Sequence, residues 1–148
     1  MTNEEIDELG IQLYGDDSSK SRAAASFLGD AVVSFRAADL ILRFVETSLT
    51  QDSFFPTSPR YLSTAQIAMV SLGRILNTFD DKLLESDFLN ELRIRINVIA
   101  SRQLSFGLAS ALLIALLANS RLAERESSLV QRLTQYIDQT GIPVWYRG

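Results

Sequence analysis

The densest set of residues able to do chemistry is the acidic run FDDKLLESD at residues 79–87. Asp80, Asp81 and Glu85 fall within about one helical turn, and three carboxylates on one face could hold a magnesium ion. The second set is basic. Twelve arginines stand against two lysines, Lys20 and Lys82, and the guanidinium fork suits bidentate contact with carboxylate or phosphate. Arg95 and Arg102 are seven residues apart and would share a helix face, and Arg121, Arg125 and Arg132 would extend a surface on a later helix. A phosphate or nucleic-acid contact would need these bases unpaired. Glu91 is placed to pair with Arg95, while Glu124 and Glu126 crowd Arg121 and Arg125, so salt-bridged helix surface is the expected use.

Histidine and cysteine are both absent. That removes disulfides, thiol nucleophiles, zinc fingers, the imidazole base of a catalytic triad and the Glu-x-x-His ligands of di-iron bundles. Neither lysine follows a serine at Ser-x-x-Lys spacing, and no glycine-rich phosphate loop or dinucleotide fingerprint is present. Residues 79–87 superficially resemble the aspartate-rich motif of all-helical isoprenoid synthases, with the last acid one position late and no second acidic motif following. The expectation is a solvated, acidic helix start, no catalytic centre, no metal and no cofactor.

Any such residues must be positioned by helices. Thr2 and Glu5 have capping-box spacing before a segment at 3–14, and acids fill its first turn, where the helix dipole favours them. Residues 1–17 carry six acids and no base, so the remainder holds 12 acids against 14 bases. That mildly basic body lacks the dense basic stripe of a strong nucleic-acid binder. Leu28, Ala31, Phe35, Ala38, Leu42, Val45 and Leu49 recur at alternating spacings of three and four, which predicts one long helix over 20–50. Val32, Val33, Ile41 and Phe44 widen its apolar face beyond a coiled-coil seam. Pro56 and Pro59 mark a loop at 51–62, and Ser63 with Gln66 forms a second capping box. A helix follows to about Phe79, and Asp80–Asp81 starts the next. Residues 91–99 alternate like a strand, but no partner strand exists, so helix is expected there. Residues 104–118, LSFGLASALLIALLA, are apolar on every side. At fifteen residues the run falls short of the roughly 20 needed to span a bilayer, so it is expected at the centre of a bundle, with membrane insertion not favoured. Its stripe of Gly107, Ala111 and Ala115 would let another helix approach closely. A last helix over 120–139 ends before Gly141 and Pro143.

The chain therefore predicts an all-α, single-domain bundle of five or six helices spanning 1–148. It would have an acidic N-terminal helix and an aromatic tail at 143–148. Trp145 and Tyr146 in that tail, and Phe54 and Phe55 in the loop, are types that anchor interfaces. No basic leader precedes an apolar core, so a cytoplasmic protein is expected, or a virion component if its role is structural.

Gly29–Asp30, Leu72-Gly73-Arg74-Ile75 and the Tyr136-to-Trp145 stretch resemble, in order, the three short motifs of the B-cell-lymphoma apoptosis-regulator family, with Leu72 where that family has tryptophan. The resemblance implies capture of an amphipathic partner helix in a groove. In size, helical character and arginine bias the chain is also similar to rod-shaped plant-virus coat proteins, which implies helical stacking with a few arginines on RNA. The leading expectation is a non-enzymatic protein-interaction or assembly module. It would bind copies of itself or another protein, with Trp145, Tyr146, Phe54 and Phe55 as contacts. The alternatives are a helix-groove-binding regulator and a coat subunit that holds nucleic acid at Arg95 and Arg102.

Overall fold

A computed structural model describes residues 1–48, 63–102 and 106–139. All regular structure among them is helical. The elements are α1 (Asn3–Leu13), α2 (Ser18–Leu28), α3 (Phe35–Ser48), α4 (Thr64–Leu76), α5 (Asp81–Leu84), α6 (Asp87–Ser101), α7 (Phe106–Leu117), α8 (Ser120–Arg125) and α9 (Ser127–Gln139). Among the described residues these are nine segments rather than five or six, because three expected helices each break at a turn.

The first break divides the 20–50 segment at residues 29–34. Gly29 caps α2, and its missing Cβ admits the Arg74 guanidinium and the Ser71 hydroxyl of α4. Ser34 then starts α3, its Oγ accepting from the Ala37 N–H at 3.1 Å. The heptad positions survive the interruption. Leu28, Ala31, Ala38, Leu42 and Val45 are all buried, so the periodicity reports a shared core and not one continuous rod. Val32 and Val33, expected to widen the apolar face, are exposed instead.

The second break separates α5 from α6, because Asp80 and Ser86 each cap their own helix. The third lies at Glu126, whose carboxylate is drawn across to Arg93 at 2.5 Å. Residues 91–99 are helical. Leu92, Ile96 and Ile99 face the core while Ile94 and Val98 face out, which reconciles the alternation with a 3.6-residue period.

The principal seam joins α4 to α7, flanked by α2 and α3 on one side and α8 and α9 on the other. It is close because its residues are small. A Cβ on Gly73 would sit 2.5 Å from the Ala115 Cα, so the backbones meet where no other residue fits. Gly107 gives way in the same manner to the buried amide of Gln66. The Gln66 Nε2 has no hydrogen-bond partner among the described residues, while its Oε1 closes the Ser63 capping box. Apolar on all sides, α7 is nevertheless not buried on all sides: Ile114 and Leu117 remain about half exposed. Among the described residues no helix is long and apolar enough to cross a membrane.

Candidate functional site

Trp145, Tyr146, Phe54 and Phe55 lie outside the described residues. The two arginines singled out from the sequence do lie within them, in different surroundings. Arg95 is stapled to α3 rather than to Glu91. Its Nη1 lies 2.7 Å from Asp39, and its Nε donates to Glu46 at 3.1 Å. Arg43 completes the cluster from the other side of Asp39, in the expected i,i+4 geometry. Burial opposes the charge on Asp39, but hydrogen bonds from Arg95 and Arg43 outweigh it and hold the carboxyl below its ordinary range. The Glu46 hydrogen bond leads in raising the Arg95 pKa. Above this cluster Tyr14 donates to the Leu40 carbonyl at 3.3 Å and meets the Phe44 ring edge-on at 5.5 Å, and burial pushes its phenol up. The cluster joins α3 to α6, and its arginine donors are already directed at carboxylates.

The acidic run is dispersed in the same way. Asp80 accepts from the Leu83 N–H as a helix cap, Asp81 pairs with Arg121 at 3.2 Å, and Glu85 pairs with Arg125 at 3.3 Å. No group of three metal-ligating side chains is assembled among the described residues. The expected neighbours of Arg121 and Arg125, Glu124 and Glu126, make no ion pair with them among the described residues; Glu126 goes to Arg93. Gly29–Asp30 and Gly73–Arg74 do come together. Arg74 pairs with Asp30 and donates to the Ser26 carbonyl, so its guanidinium binds the chain's own α2 end.

Two surfaces stand apart from this stapled exterior. The first is a cleft of about 120 Å³ between the end of α6, α7 and α9, lined by Ala100, Ala109, Leu129, Leu133 and Tyr136. Arg102 and Arg132 also line it. Neither arginine makes an ion pair among the described residues, while Arg36, Arg43, Arg74, Arg93, Arg95, Arg121 and Arg125 all do. A local sign existed, since no acid lies three or four residues from Arg102 or Arg132. That sign is ambiguous, because Arg74 and Arg93 share it and find acids from distant helices.

The second surface is the corner formed by α1, α2 and the turn after α2. Of the large apolar side chains exposed among the described residues, six (Met1, Ile11, Tyr14, Phe27, Val32 and Val33) belong to the first 33 residues, and four lie elsewhere. Met1 and Phe27 border one depression of about 380 Å³ together with Glu5 and Glu8. Met1 also borders a second of about 280 Å³, where Val32 and Val33 stand among the polar Asn3, Ser34 and Arg36. Val33 has φ 50°, a left-handed conformation that a β-branched residue adopts only under constraint. Its N–H donates to the Thr78 hydroxyl at 2.8 Å, which ties the strained turn to the end of α4.

Scanned against models of protein families, curated proteins and solved structures, the chain matches none.

Proposed function

We propose that the chain is a non-enzymatic helical interaction and assembly module that associates with copies of itself. A structural role in a virion or phage particle is one setting that accommodates this reading. The observation that carries it is the concentration of exposed large apolar side chains in the first 33 residues, Met1, Ile11, Tyr14, Phe27, Val32 and Val33, against four elsewhere among the described residues. A β-branched residue held at positive φ costs about 1–3 kcal/mol, and here that conformation accompanies a Val32 side chain that is 70% exposed. Single exposed apolar residues are ordinary, whereas several in one part of the fold offer a surface to a partner. Trp145, Tyr146, Phe54 and Phe55 are further candidate anchors by residue type.

Light scattering on a sizing column, over a wide range of protein concentration, tests the reading. Masses above 16.5 kDa that grow with concentration support it. A monomer at every concentration overturns it.

A further inference from the structure

We infer that the association is head-to-tail: the outer face of α1 from one copy docks in the Arg102/Arg132 cleft of the next. This rests on the self-association proposed above and singles out Ile11, from the exposed N-terminal group, as the residue that inserts. The cleft has an apolar floor of Leu129 and Leu133 and two arginines without an acidic partner among the described residues. Its roughly 120 Å³ admits one branched side chain, not a small-molecule ligand, whose pockets run to about 300 Å³ and above. The complement is therefore a single apolar anchor with acids beside it.

The chain carries that complement on α1. Glu4, Glu8 and Ile11 recur at i, i+4 and i+7, which places them on one helix face. Ile11 is 76% exposed, the most exposed large apolar side chain among the described residues. Glu4 and Glu8 make no ion pair among the described residues, whereas Asp7 on the same helix is taken by Arg36 at 2.7 Å. In the proposed contact Glu4 and Glu8 face Arg102 and Arg132, and Ile11 enters beside Leu129 and Leu133.

Within one chain α1 packs on α2 and α3, while α6, α7 and α9 form the cleft, so the two surfaces belong to different packing groups. A contact between two unlike surfaces leaves a free copy of each at the ends. It therefore propagates into chains or closes into rings. Opposite charges at its rim also make it salt-sensitive, unlike a purely apolar contact.

The test uses two full-length variants. Arg102→Glu/Arg132→Glu destroys the cleft, and Glu4→Arg/Glu8→Arg/Ile11→Glu destroys the inserting face; all five positions are exposed, and circular dichroism confirms that each variant folds. Each variant alone runs at 16.5 kDa. A second, milder pair, Arg102→Ala/Arg132→Ala and Ile11→Ala, is then mixed, and a heterodimer of twice the chain mass forms through the one intact pair of surfaces. Raising salt from about 0.05 M to about 0.5 M shifts the wild-type protein toward monomer. Variants that associate like wild type overturn the head-to-tail contact and leave self-association standing. Monomeric Ala variants that stay monomeric when mixed also overturn it, because one intact copy of each surface is then present and the two do not bind. A wild-type protein that is monomeric throughout overturns both readings.

Discussion

Along the α4–α7 seam, Gly73 lies against the Ala115 backbone and Leu72, Ile75, Leu112 and Leu116 are wholly withdrawn from water. At the α1–α2 corner, side chains of the same kind stand in solvent, and one of them is held on a strained backbone. The seam is made dry by small residues that let two backbones approach. The corner carries bulky residues that nothing in the chain's described part covers. Stability resides in the seam, and under the proposed self-association the corner is surface offered to another copy. Substitutions on the two sides should therefore separate folding from association.

The largest effect is expected at Gly73→Leu. Its Cβ would meet Ala115 main-chain atoms that cannot swing aside, so the loss should exceed the usual overpacking cost of about 1–3 kcal/mol. Urea denaturation that shows little change would break the assignment of the seam as the stabilising element. Leu112→Ala, at a site with no exposure, should cost about 2–5 kcal/mol in the same assay. On the corner the sign reverses. Val33→Gly relieves the left-handed conformation at the cost of a more flexible unfolded chain, for a net gain of about 1 kcal/mol, or roughly 2–4 °C in Tm. A lower Tm would mean that the Val33 side chain contributes packing greater than its strain.

The Asp39 cluster sharpens the comparison through pH. Its folded pKa is lowered from 3.8, so its stabilisation is present above that value and lost as pH falls through it toward the lowered folded value. Asp39→Asn should flatten that part of the acid-unfolding curve; an unchanged acid limb would show that other carboxylates govern it. The smallest effect on stability belongs to Phe27→Ser, within about 0.5 kcal/mol because the ring is 57% exposed. Its expected consequence is weaker self-association by light scattering, with Tm unmoved.

The two regions were not equally legible from sequence. The Thr2 cap, the Ser63 capping box and the small-residue stripe of α7 depend on neighbours within a turn or two; the Ser63 box and the stripe occur where their spacing predicts, while at Thr2 only the cap half forms, the Glu5 carboxylate accepting from the Thr2 hydroxyl instead. The break at 29–34 was hidden because the heptad positions on both sides of it serve one core, and periodicity alone does not distinguish a rod from two helices in register. The candidate surfaces were less legible still. Ile11 and Val32 carry no mark of exposure in a sequence where similar residues are buried.

By itself the sequence determined that the described chain is helical, where most helices start, which chemistry its missing histidines and cysteines exclude, and that its acids gather at one end. These are local or compositional properties. Only the tertiary structure decided that Arg95 meets Asp39 and Glu46, that Arg74 meets Asp30, and that Arg102 and Arg132 are left together beside an apolar cleft. The reason is physical. An arginine finds whichever carboxylate the packing of distant helices brings within reach, and that packing is a collective outcome of the core, with no signature at the arginine's own position.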